Sequence, residues 1–117
     1  MQAAPQRLSE STIILLEDPV NELFLSAASA WEIAIKYALD RLPLPVPPAE
    51  YVPSRMARSG TRGLSVEHRH ALHVATLPTH HRDPFDRLLI AQTQLENATL
   101  ITADRRLELY DVNKLMA

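Results

Sequence analysis

Three carboxylates stand where side chains of their type do chemistry: Glu32 inside an apolar run, Asp86 at the head of a second, and Asp104 directly after the β-rich Thr99-Leu100-Ile101-Thr102-Ala103. Glu32 belongs to the stripe Ala28, Glu32, Ile35 and Leu39. An acid on such a stripe is costly unless it is paired or binds a cation. Lys36, one helical turn later, offers a bland partner. Asp86 falls in the first turn after Asp83-Pro84, where a carboxylate also suits the helix dipole. Asp83 is explained by the Asp-Pro pair alone, as an N-cap before proline at the first helical position. Asp104 either closes a buried strand or caps the helix that follows it. Each acid has a structural reading, but one topology explains all three. In an open parallel sheet, chemistry gathers at the carboxyl ends of strands and the amino ends of helices. In a chain with Cys 0, an all-oxygen cluster suits a hard ion, Mg²⁺ or Mn²⁺. Such an ion lowers the pKa of bound water and stabilises charge on a phosphate.

The other titratable groups say less. Of five histidines, His68, His70 and His73 share a predicted helix, but only His70 and His73 share a face. Two ligands without a third make a thin case for zinc, so surface positions are expected. His80-His81-Arg82 reads as a loop near the acids, able to touch a phosphate. Arg82, Arg87, Arg105 and Arg106 flank the acids, either as solvated counter-charges or as a phosphate-steering rim.

The elements that must position these groups alternate. A helix is expected over 6–18 with Ser9 as cap, ended by Pro19. A short strand, 23–25, closes at Ser26. A helix over 27–40 carries Trp31, Ala34, Ile35, Ala38 and Leu39 at helical spacing, facing a core. A stiff proline-rich connector follows, 41–53, overlapping a helix over 48–59 that Pro48 opens, with Arg55 and Arg58 on its surface. A strand at 64–66 and a helix over 67–77, with Ala71, Val74 and Ala75 inward, lead to Pro78. After the helix from Pro84 and the buried strand 99–104, which stops at its acid, come a short helix, 105–110, and a weak last strand, 112–116. This order predicts an α/β fold with a mainly parallel sheet.

Composition bounds the rest. The 117 residues suffice for one small core, so the chain is read as a single domain, 1–117. A net charge of −2 argues against wholesale capture of nucleic acid, though not against a local basic patch. The absence of Cys excludes disulfides and thiolate metal sites and fits a reducing cytoplasm. No apolar run is long enough to span a bilayer, and Met1 to Pro5 has neither the basic region nor the apolar core of a signal peptide.

Trp31-Glu32-Ile33-Ala34-Ile35-Lys36, then Asp83-Pro84-Phe85-Asp86-Arg87-Leu88-Leu89-Ile90-Ala91-Gln92, then Leu100-Ile101-Thr102-Ala103-Asp104 together resemble the PIN-domain ribonucleases. Leu42-Pro43-Leu44-Pro45, Leu77-Pro78 and His80-His81-Arg82 resemble the branch of VapC-type toxins of type II toxin–antitoxin systems. The likeness runs from Arg7 onward. It implies a three-layer α/β/α sandwich, Mg²⁺- or Mn²⁺-dependent endoribonuclease activity on RNA phosphodiester bonds, a cognate antitoxin and a homodimer. By motif, Glu32, Asp86 and Asp104 take the metal-holding and catalytic roles, and Thr102 supports the last acid. Asp83 matches no family acid.

The sequence departs from the family pattern at its start. That pattern opens with a strand ending in Asp-Thr, followed by a helix; the strand lies centrally in the sheet and supplies the first metal-binding Asp. No segment here matches it. Either the start of the chain is placed too late, or the form is shortened; in the second case a sheet with a gap, open strand edges and a weaker metal site are the expected consequences. Three readings follow: a nuclease toxin, a shortened PIN unit that only binds an antitoxin or dimerises, and a small α/β domain whose acids are caps.

Overall fold

The computed structural model describes residues 22–80, 83–102, 110–111 and 113–116, with backbone alone for Thr102 and 113–116. Strand β1, Phe24–Ser26, runs straight into helix α1, Ala27–Ala38. Ser26 makes that junction: its backbone is extended and its Oγ accepts the Ala28 N–H at 3.1 Å, satisfying an otherwise orphaned helix-end donor. Helix α2, Pro48–Ser59, starts on proline, contains Pro53 and ends at Gly60, whose φ of +67° is the left-handed cap geometry that glycine adopts without strain. None of its residues is buried. Strand β2, Arg62–Leu64, then pairs parallel to β1, with Phe24 opposite Arg62 and Ser26 opposite Leu64. Helix α3, His68–His73, tightens into a 3₁₀ turn, Val74–Thr76.

Helix α4, Pro84–Glu96, organises the interior. Asp83 caps it, its Oδ1 accepting the N–H groups of Phe85 at 2.8 Å and Asp86 at 3.3 Å. Asn97, at φ 52°, ends it in left-handed geometry. Strand β3, Thr99–Thr102, follows at once and pairs parallel to β4, Asn113–Met116. Leu89, Ile90 and Ala91 of α4 form the core with Ala28, Leu77, Leu100 and Tyr110. α4 packs on α1, α3, the 3₁₀ turn and β3. Among the described residues no helix is long and apolar enough to cross a membrane.

The α/β class with parallel pairing is borne out, but the described strands form two separate parallel pairs, β1–β2 and β3–β4. β2 lies two residues earlier than the expected 64–66. Leu64 is the last residue in register with β1, and the Ser65 carbonyl turns away to accept from Gln92. The facing of α1 also differs. Ala28 and Ser29 are buried and Glu32 and Ile35 half-buried, whereas Trp31 is 61% exposed and Leu39 58%. Apolar content favours Trp31, but the residues that α1 buries are the small Ala28 and Ser29. On α3, the expected inward Ala71 and Ala75 are exposed and His70, expected at the surface, is 1% exposed. Hydrogen bonds to both ring nitrogens make that burial tolerable. The helix expected over 6–18 lies outside the described residues, as does 105–109 of the short helix before Tyr110.

Candidate active site

Two contacts fix how α1 and α4 lie together. Ser26, at the start of α1, donates its hydroxyl proton to Gln92 Oε1 in mid-α4 at 2.5 Å. Trp31, in mid-α1, meets Phe85 at the start of α4 edge-to-face, ring centroids 5.2 Å apart. The helices therefore pass each other in opposite directions. Glu32 and Asp86 each follow one member of the aromatic pair in sequence.

Glu32 is 19% exposed, and Lys36 Nζ lies 3.7 Å from its Oε2. Its bland partner is thus present, and a cation already stands beside the carboxylate. Asp86 is half-buried, its backbone N–H held by Asp83. Asp83 has the capping role expected of it. Thr102 ends β3 opposite Met116. Asp104, Arg82 and Arg105 lie outside the described residues.

Arg87 turns inward. One guanidinium nitrogen, Nη1, donates to the Pro78 carbonyl at 2.9 Å and to the Tyr110 hydroxyl at 3.4 Å; the other, Nη2, donates to the Val74 carbonyl at 3.2 Å. These bonds tie α4 to the 3₁₀ turn and to Pro78 just after it. His80 of the expected phosphate-touching loop packs edge-on against Tyr110, centroids 5.1 Å apart.

A second cluster escaped sequence reasoning. Ligand atoms of Glu67, His70 and Glu96 lie within 4.8 Å of one another. His70 Nδ1 accepts the Glu67 N–H at 3.0 Å, so the ring proton sits on Nε2 and is donated to Glu96 Oε2 at 2.9 Å. Arg69 pairs with Glu67 at 2.8 Å and also with Glu96. The His70 hydrogen bond, opposed by desolvation and aided by the Arg69 charge, holds the Glu96 carboxyl below its ordinary range. A metal ion here would have to displace both the Nε2 proton and the guanidinium. The signal in sequence was the Glu67-x-x-His70 spacing, a capping box with His in place of Glu or Gln.

The PIN domain family matches residues 4–113, and the chain belongs to it. Over 62 residues it is 56% identical to Ribonuclease VapC16 of Mycobacterium tuberculosis (strain ATCC 25618 / H37Rv), an alignment that takes in 53% of this chain and 44% of that protein. The aligned stretch thus spans less than half of the relative. No solved structure matches the chain significantly.

Proposed function

We propose that this chain is the toxin of a type II toxin–antitoxin pair, a Mg²⁺- or Mn²⁺-dependent endoribonuclease acting in the cytoplasm as a single domain, with a cognate antitoxin as its partner and a homodimer as its assembly. The observation that supports the reading is the packing of α1, which carries Glu32, against α4, which carries Asp86, through the Ser26–Gln92 and Trp31–Phe85 contacts. The donor chemistry fits a hard divalent ion: both are half-buried carboxylates. Glu32, Asp86 and Asp104 would hold the ion, with Thr102 supporting Asp104. When bound, such an ion supplies a more acidic water and neutralises charge on a phosphate.

The chain's own residues do the remaining work. A carboxylate of the set accepts the proton of the attacking water as general base, aligned with the scissile phosphodiester. Arg82 and Arg105 flank the acids as phosphate-steering cations. Arg87 serves the site indirectly, by fixing the turn that delivers Asp83 and Asp86.

Cleavage of RNA in Mg²⁺ or Mn²⁺ tests the reading, with Glu32→Gln, Asp86→Asn and Asp104→Asn as variants. Activity in the parent and a loss of at least a hundredfold in each variant are expected. Undiminished activity in Asp86→Asn and Asp104→Asn would sink the assignment. No cleavage by the parent, with antitoxin binding retained, would assign a binding-only role instead.

A further inference from the structure

Gln92, 2% exposed, joins four parts of the molecule. Its Oε1 accepts from Ser26 Oγ at 2.5 Å, and its Nε2 donates to the Ser65 carbonyl at 3.2 Å and to His70 Nδ1 at 3.3 Å. The direction of each bond is determined. Ser26 Oγ already accepts the Ala28 N–H, so its proton goes to Gln92. His70 Nδ1 already accepts the Glu67 N–H, so the His70 proton goes to Glu96. A directed ladder results, from Ser26 through Gln92 and His70 to Glu96, crossing α1, α4 and α3.

An aliphatic side chain of similar size could fill this site with no polar group to satisfy. An amide there tolerates one relative placement of its neighbours, because any other leaves a buried donor or acceptor unpaired. The placement it selects concerns the acids. Ser26 lies six positions before Glu32 and Gln92 six positions after Asp86, roughly 9 Å along each helix axis at about 1.5 Å per residue. A slip of one residue would move an acid by about 1.5 Å and turn it by about 100°. Mg²⁺ demands near-octahedral oxygens at about 2.0–2.1 Å and does not absorb such a shift.

We propose that Gln92 is a positioning residue: through Ser26 it sets the register of α1 against α4, and with it the spacing of Glu32 and Asp86 that a divalent ion would read. The ion-reading clause rests on the function proposed above; the register clause does not.

Trp31 is the single tryptophan and touches Phe85 beside the acids, so its fluorescence reports this register. Gln92→Leu removes the ladder's centre. Ser26→Gly removes the hydroxyl but keeps an acceptable helix start, and Ser26→Thr keeps both. Far-UV circular dichroism establishes folding, Trp31 emission and near-UV dichroism report the helix pair, and calorimetric titration gives Mn²⁺ affinity. In folded Gln92→Leu and Ser26→Gly, the Trp31 signals change and Mn²⁺ affinity falls at least tenfold; Ser26→Thr restores both. Unchanged Trp31 signals in the folded variants, or altered signals with unchanged affinity, would overturn the proposal. Should Gln92→Leu fail to fold, the Ser26 pair decides. A parent chain that binds no Mn²⁺ refutes the acidic-site reading alone, and the Trp31 comparison still decides the register.

Discussion

Asp83 and Asp86 lie in one helix start with opposite duties, and substitution separates them. Asp83 Oδ1 accepts two backbone N–H groups, at 2.8 and 3.3 Å. Removing an N-cap side chain costs about 0.5–2 kcal/mol, and losing a carboxylate from the positive helix end about 0.3–1 kcal/mol more at low salt. Asp83→Ala should therefore lose about 0.8–3 kcal/mol. Asp83→Asn keeps the cap and should lose only the dipole part. Asp86→Asn leaves the Asp83 cap bonds in place, because only the Asp86 backbone N–H takes part in them. Urea unfolding followed by Trp31 emission measures all three, with an unchanged m-value showing that the unfolded state is not altered. In the cleavage proposed above the order should reverse: Asp86→Asn is expected to lose at least a hundredfold, and Asp83→Asn to retain activity. Equal destabilisation by Asp83→Ala and Asp83→Asn, or a neutral Asp83→Ala, would refute the capping argument.

Ile90 is 0% exposed at the centre of the core, so Ile90→Ala should cost about 2–5 kcal/mol and Ile90→Val about 0.5–1.5 kcal/mol in the same urea assay. The Glu96 carboxyl is held below its ordinary value of 4.5, so the folded chain keeps it ionised where the unfolded chain takes up a proton. Its contribution to stability is complete above pH 4.5 and is lost as pH falls through the lower folded value; carbonyl NMR titration of Glu96 checks this, and Glu96→Gln should flatten the acid limb of the stability profile. Lys36 is 49% exposed, and its i,i+4 pairing with Glu32 should be worth about 0.3–0.5 kcal/mol, measured as the coupling in a double-mutant cycle of Lys36→Ala with Glu32→Gln.

What the sequence made legible follows from local chemistry. Asp83-Pro84 announced α4, and Pro48 opened α2 where expected, because proline and cap residues act on their own backbone. The acids on α1 and α4 were also visible, since charge inside an apolar stripe needs no partner to be noticed. The facing of α1 was not legible. Trp31 dominated the hydrophobic count, whereas the rotation is set by the Ser26–Gln92 bond, made between residues 66 positions apart. His70 was hidden for the same reason. Its burial depends on Glu96 and Gln92, and a histidine shows its partners only when the chain has folded.

The two strand pairs share no ladder among the described residues, yet α4 packs directly on β3 and, through Gln92, is bonded to the end of β1. Among the described residues, cooperativity between the halves then travels through a helix wall rather than along a sheet. Fraying of one pair leaves the other's hydrogen bonds untouched, whereas loosening α4 releases both. In native-state hydrogen exchange, the amides of Leu89 to Thr93 should open only with the whole molecule, and each strand pair should exchange as its own lower-energy unit.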